Sequence, residues 1–480
     1  MGDLGPSVDR FLDWAQAACQ SLWQVLPVGP PETYNSPYSC LSAFAGNPLL
    51  ISPELLRSDG LLHLGDLPAQ VGPAGARVDF GAAIPWKEAV LEKAWKRFKG
   101  GAGGPLGREL EAFRAAPEQA LWLEDWALFS ALREEHRQAP WWSWPRELAH
   151  RAPAALRAFR ERRRERLSYH RFLQFLFFRQ WRRVRLEAAR RGIALLGDLP
   201  IYVARNSADV WARPELFQLD DEGRPLAVAG VPPDDYAETG QLWGNPLYRW
   251  EKMAEDGYSW WIERVAANLR LADSLRFDHF RGFLAYWSVD ADAATAEDGR
   301  WVPGPGADLF VALEKSLGGL PLVAENLGVI TPDVEELRRS LGLPGMAVLH
   351  FGFGEDRASR EHLPHLHVPA TVVYTGTHDN ETTRGWFENL EAEDRRRVET
   401  YTGAGVEDIA WSLIRLAYAS VANVVVIPLQ DVLGLGSGAR MNTPGTSGGN
   451  WEWRLEAHAL TPALARQLAD LASLTDRVLA

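Results

Sequence analysis

Three segments of the 480-residue chain each run a short apolar stretch into a carboxylate. In Leu275-Arg276-Phe277-Asp278-His279-Phe280-Arg281-Gly282, strand alternation puts Arg276 and Asp278 on one face, while Leu275 and Phe277 pack toward covering helices. A guanidinium on that face would keep Asp278 ionised at low pKa, as a nucleophile requires. The same pair would serve equally as a buried salt bridge between strands. In Pro321-Leu322-Val323-Ala324-Glu325-Asn326-Leu327-Gly328, the neighbours of Glu325 are apolar or neutral, surroundings that raise a carboxyl pKa toward a general acid's range. The third segment, Tyr374-Thr375-Gly376-Thr377-His378-Asp379-Asn380, sets Asp379 beside a histidine. One ionised carboxylate, one protonated carboxyl and a further carboxylate suit retaining glycoside cleavage. The nucleophile attacks the anomeric carbon, the acid protonates the leaving oxygen, and the third group grips sugar hydroxyls most tightly in the transition state. A metal-carboxylate enzyme is the competing reading of three acids, but Arg276, His279, Arg281 and His378 put positive charge where a cation would go.

Carboxylates at strand ends need a scaffold that gathers strand ends. Apolar runs rich in branched residues occur at Trp23 to Val28, Ala194 to Val203, Ser274 to Asp278, Leu322 to Glu325, Ala347 to Phe351, Thr371 to Tyr374 and Asn423 to Leu429. An eighth is expected near Leu49 to Ile51. Helical periodicity separates them, the pattern of a parallel α/β protein. Eight strands would suit a (β/α)₈ TIM barrel, whose catalytic groups sit at the carboxyl ends of its strands; periodicity leaves a doubly wound open sheet as the alternative. Two stretches break the alternation within a single catalytic domain spanning 1–480. Residues 52–170 read as a helical insertion, and residues 204–260, dense in Asp, Pro, Gly and Trp, as a substrate-loop insertion.

A formal net charge of −12 argues against nucleic acid and anionic membranes as partners. Cys19 and Cys40 lack metal or redox spacing, no apolar run reaches the roughly 18 residues of a membrane span, and the amino terminus shows no secretory pattern, so a cytoplasmic protein is expected. The arginine run from Arg157 to Arg166, continuing into Arg182, Arg183 and Arg185, reads as a solvated helix face with i to i+4 ion pairs. His362, His365 and His367 are split by Pro364 and read as a loop, so no metal site is assigned. No Gly-rich phosphate loop and no GxSxG elbow occurs. The 21 tryptophans either fill a core or build platforms for sugar rings, with Trp243, Trp287 and Trp386 placed for stacking.

Several motifs together resemble the 4-alpha-glucanotransferases called amylomaltases or disproportionating enzymes, relatives of the alpha-amylase clan. They are Trp23-Gln24-Val25-Leu26-Pro27, Ser36-Pro37-Tyr38, Ser42-Ala43-Phe44-Ala45-Gly46-Asn47-Pro48 and Gly197-Asp198-Leu199-Pro200-Ile201. Pro232-Pro233-Asp234, Glu238-Thr239-Gly240-Gln241, Trp243-Gly244-Asn245-Pro246-Leu247-Tyr248, the three carboxylate segments and Arg440-Met441-Asn442-Thr443-Pro444-Gly445-Thr446 complete the set. The resemblance spans nearly the whole chain. It implies a (β/α)₈ barrel with inserted subdomains and no separate carboxyl-terminal β-domain. It also implies Asp278 as nucleophile, Glu325 as acid/base and Asp379 as transition-state stabiliser, with Arg276, His279 and His378 around the reacting sugar. Tyr38, Asp234, Glu238, Gln241, Trp243 and Asn442 are implied substrate contacts. Maltooligosaccharides or amylose would be donors, and glucose or a maltooligosaccharide the acceptor; no cofactor and no obligate protein partner is implied. Departures from the family pattern are Tyr34-Asn35, Arg205-Asn206 and Asn326, the last expected to shift the pH optimum modestly. A hydrolase of the same clan and an idle glucan-binding module are the alternatives.

Overall fold

The structure is a computed structural model that describes residues 2–32, 35–67, 75–102, 104–233, 238–456 and 458–478, with backbone alone at 102 and 357. Eleven strands are present among them: β1 (Leu22–Gln24), β2 (Ala194–Leu199), β3 (Ala227–Val231), β4 (Gln241–Pro246), β5 (Ser274–Phe277), β6 (Ala285–Asp290), β7 (Arg300–Pro303), β8 (Leu322–Ala324), β9 (Gly345–Val348), β10 (Thr371–Tyr374) and β11 (Val424–Val426). Seven run parallel. β1, β2, β5 and β8 form one ladder, and β9, β10 and β11 the other. The two ladders are joined where Ala324 N–H donates to Pro344 O at 2.9 Å and Met346 N–H donates to the Asn326 side chain at 2.7 Å. The protein is a barrel of the (β/α)₈ class.

Alternation along the strands divides their side chains between the two surfaces of the barrel. Leu196, Val323, Met346, Val348, Val372 and Tyr374 pack on one another inside, while Leu275 and Phe277 belong to the outer core, where the Phe277 ring meets Trp261, Phe283 and Phe310. The strand expected near Leu49 to Ile51 is instead a 3₁₀ turn over Pro48–Leu50. Proline has no N–H to donate to a ladder, and the Asn47 side chain accepts from Leu49 N–H at 3.0 Å, capping a turn. Among the described residues no strand bridges β11 and β1. A cavity of about 360 Å³ lies at that seam, walled by Phe11, Trp14, Val425 and Leu468 and reaching Arg276 and His378. The Tyr374 hydroxyl crosses the barrel to Gln24 at 2.9 Å.

Between β1 and β2 the described chain from 53 onward is mostly helical, including Phe80–Arg97, Leu123–Glu135 and the 27-residue helix Arg164–Arg190, which runs on past the expected end of the insertion. Trp95, Trp122, Trp126, Trp141 and Trp144 are buried there as core. The arginine run is paired differently from expectation. Arg162 and Arg163 reach Glu135, Arg166 reaches Glu134 and Glu92, and Arg171 reaches Glu124, so the partners sit on neighbouring helices. The segment read as an irregular loop holds β3 and β4. With β6 and β7 these form a separate antiparallel sheet in the order β4, β3, β6, β7. Among the described residues no helix is long and apolar enough to cross a membrane.

Candidate active site

The carboxyl ends of the parallel strands converge on a cleft of about 710 Å³. Asp278 follows β5 directly and Glu325 follows β8, while Asp379 stands on the loop that leaves β10. All three line this one cleft, together with Tyr38, Gln241, Trp243, Arg276, His279, His378 and Asn442. Of the other residues singled out from sequence, Glu238 is exposed and is absent from the cleft lining, and Asp234 lies outside the described residues.

The site is built around a chain of charges. Ladder register places Asp198 of β2 beside Arg276 of β5, and the guanidinium donates to both Asp198 oxygens at 2.9 and 2.7 Å. The Tyr38 hydroxyl donates to Asp198 at 2.7 Å. Arg276 then reaches Asp278 Oδ1 at 3.1 Å with its other amino group. Arg276 was expected to hold the Asp278 pKa low. In the structure burial pushes it up, and the like charges of Asp198, Glu325 and Asp379 add to that push against Arg276. Arg276 is shared with Asp198, whose side chain is fully buried, so its pull is divided.

After Asp278 the backbone turns through His279 at φ +51°, a left-handed conformation uncommon for a residue with a side chain. The turn aims the His279 N–H at Glu325 Oε2, 2.7 Å away, while Leu327 N–H donates to Oε1 at 2.8 Å. Ladder bonds from Glu325 N–H to Phe277 O and from Phe280 N–H to Glu325 O, both 3.0 Å, lock the strand ends that carry Asp278 and Glu325 together. Burial raises the Glu325 pKa, with Arg276 and these two amides opposing. Burial lowers that of His279 to about 4, with Arg281 adding to it, so this ring is neutral at pH 7.

Asp379 behaves oppositely. Burial alone would raise its pKa, but His378 at 3.2 Å, the Asn442 amide at 2.6 Å and Arg276 outweigh it and hold the carboxylate well below its usual range. His378 is raised in turn, the Asp379 charge overcoming burial, and its ring stacks on Tyr38 at 5.0 Å. Asn442 is tied down by its own N–H to His378 O at 3.1 Å, and Arg440 donates to Asp379 O at 2.9 Å.

Two residues that shape the site, Asp198 behind Arg276 and Trp451 on the cleft, were not picked out from sequence. Asp198 was visible only as part of a motif, and its signal is the alternation that places it beside Arg276. Trp451 stands in a Gly-rich loop without periodicity, where it packs near both Tyr38 and His378 at 5.9 and 5.8 Å. Trp243 packs its edge against His279 at 4.9 Å and is 36% exposed on the cleft. The other expected platforms are elsewhere: Trp287 on β6 donates to Ala296 O in the β6–β7 connection, and Trp386 stacks on His350 at 4.5 Å. Arg205 stacks on Trp142 and Asn206 accepts from Trp141 N–H, so that departure also faces away from the cleft.

A parallel barrel with acids gathered at the strand ends and indoles at the rim of a long cleft defines a glycan-active enzyme. Comparison with known proteins gives the family. The family model described as 4-alpha-glucanotransferase matches residues 1–461. The chain is 48% identical to the 4-alpha-glucanotransferase of Synechocystis sp., covering 99% of this chain and 95% of that protein. It is 46% identical to the one from Thermus thermophilus, covering 100% and 96%. The solved structure of the Streptococcus agalactiae amylomaltase in complex with acarbose superimposes with a TM-score of 0.96 at 37% identity, covering 100% of this chain and 96% of that one. The chain belongs to the 4-alpha-glucanotransferase family, and its activity is transfer within alpha-1,4-glucans.

Proposed function

We propose that transfer proceeds by retention through a covalent glycosyl-Asp278 intermediate. The observation that carries this reading is the convergence of Asp278, Glu325 and Asp379 on one cleft with Arg276 bridging Asp198 and Asp278. An Asp278 oxygen forms a bond to the anomeric carbon as the bond from that carbon to the leaving O4 breaks, and Glu325 gives its proton to O4. In the second half, an acceptor 4-hydroxyl gives its proton to Glu325 and attacks the anomeric carbon, and Asp278 departs as carboxylate. Asp379, held ionised by His378 and Asn442, grips hydroxyls of the reacting sugar and favours the cationic transition state. Asp278 and Glu325 both have raised pKa values, and the direct bond from Arg276 to Asp278 at 3.1 Å favours placing the acid proton on Glu325.

Trp243 and Trp451 present ring edges and faces to successive glucose units, and Tyr38, Gln241 and Asn442 supply polar contacts. Donors are maltooligosaccharides or amylose; acceptors are glucose or maltooligosaccharides. The acarbose held by the Streptococcus agalactiae protein, which matches along the whole chain, supports an oligosaccharide occupant. The unpaired cysteines Cys19 and Cys40 fit a reducing, cytoplasmic setting. Incubation with maltotriose tests transfer against hydrolysis: longer glucans plus glucose are expected, whereas maltose and glucose alone would mean water is the acceptor. Asp278→Ala is expected to lose turnover by at least about 10³-fold, and near-native turnover would refute the nucleophile.

A further inference from the structure

We propose that Asp431 is the positioning residue for Asp379, an assignment that rests on the transition-state role given to Asp379 above. Asp431 itself lies on the short helix Leu429–Val432, away from the reacting atoms, and is 1% exposed. The loop that carries His378 and Asp379 leaves β10 at Thr375 and re-enters helical structure at Thr383. Both ends of that loop are bound to this one carboxylate. The Thr375 hydroxyl donates to Asp431 Oδ2 at 2.5 Å, the Thr383 hydroxyl donates to the same oxygen at 2.7 Å, and the Thr383 N–H donates to Oδ1 at 2.8 Å. Thr375 and Thr383 are themselves fully buried.

The clamp continues to a second layer. Because the Thr383 proton is committed to Asp431, the Thr383 oxygen accepts from His350 Nε2 at 2.9 Å, which fixes the proton of that ring on Nε2. Burial lowers the His350 pKa to about 3, so the ring stays neutral, and it lies flat on Trp386 at 4.5 Å. His350 N–H donates to Thr375 O at 3.2 Å, so Thr375 is held from both its side chain and its carbonyl. The next residue, Gly376, passes so close that an added Cβ would lie 2.7 Å from His350 Cε1.

Among the described residues no lysine, arginine or histidine forms an ion pair with Asp431; its donors are hydroxyls and an amide. A buried carboxylate without a counter-ion is a poor device for stability alone, since apolar packing would do as well. What it adds is direction. Three donors converge on two oxygens only when the loop ends are correctly spaced, and that spacing sets where Asp379 meets the sugar.

The test uses the full chain and avoids Asp431 variants, which leave buried donors unpaired. Thr375→Val, Thr375→Ser and Asp379→Asn are compared in maltotriose disproportionation, with kcat and KM per folded enzyme and Tm measured together. We expect Thr375→Val to lower kcat by about tenfold or more with KM within about twofold, and Thr375→Ser to restore kcat. An unchanged kcat in Thr375→Val alongside an inactive Asp379→Asn would overturn the positioning role, even if Tm fell. Native kcat in Asp379→Asn would instead overturn the underlying role of Asp379, and the proposal with it.

Discussion

Arg276 governs how charge is distributed among the three cleft carboxylates. It is 4% exposed and bonded at once to Asp198 and Asp278. Lysine at this position keeps a charge but cannot bridge two carboxylates as a planar fork does. In the proposed mechanism Asp278 must be ionised to attack, and Arg276 is what opposes the upward push of burial on it. Arg276→Lys weakens that opposition, so Asp278 holds its proton to higher pH, and the acid limb of the kcat/KM profile should move up by about one unit. An unmoved acid limb would mean that Arg276 does not control this ionisation. At this scale the sequence disclosed the three carboxylates and Arg276, because an apolar run ending in an acid is a local pattern. It disclosed neither the sharing of Arg276 with Asp198 nor the resulting rise in the Asp278 pKa, since both depend on register between strands far apart in the chain.

Elements are joined by side chains as well as by ladders. Asn326, expected to tune the pH optimum, turns away from the cleft; it accepts from Met346 N–H and donates to Glu335 Oε1 at 2.7 Å, stitching β8 to β9 where the two ladders meet. Asn326→Asp would face Glu335 with a second carboxylate. We expect a loss of about 1 to 3 kcal/mol in urea unfolding with an unchanged pH profile for transfer. A shifted pH optimum with native stability would instead make Asn326 a determinant of the pH profile. Strand positions were readable from runs such as Thr371 to Tyr374, whereas the turn at Pro48–Leu50 passed for a strand because its residues are apolar. The partners of the arginine run were hidden for another reason: periodicity locates a helix face but not the helix packed against it.

Over the whole molecule, most of the 21 tryptophans pack in core and a few line the cleft. Trp211 and Trp261 are fully buried, those of the helical insertion fill core, and Trp243 and Trp451 line the cleft. Maltooligosaccharide binding should therefore change tryptophan emission in the native protein and leave it nearly unchanged in the double variant Trp243→Phe, Trp451→Phe. A full response in that variant would place the sugar against other indoles. Family and barrel class were legible from motifs spread along the chain, because several of them, such as Gly197 to Ile201 and the three carboxylate segments, sit at strand ends of the barrel. The loop holding Trp451 was not, since glycine-rich sequence carries no period to read.

The proposed mechanism holds a glucan covalently on Asp278. Glu325→Gln should accept a glycosyl group from maltosyl fluoride, whose leaving group needs no acid, and should lack the base that activates an acceptor hydroxyl. Acid quench, proteolysis and mass spectrometry should then find the added sugar on the peptide containing Asp278. Release of fluoride with the sugar on another residue, or with no labelled peptide at any quench time, would rule out Asp278 as the nucleophile.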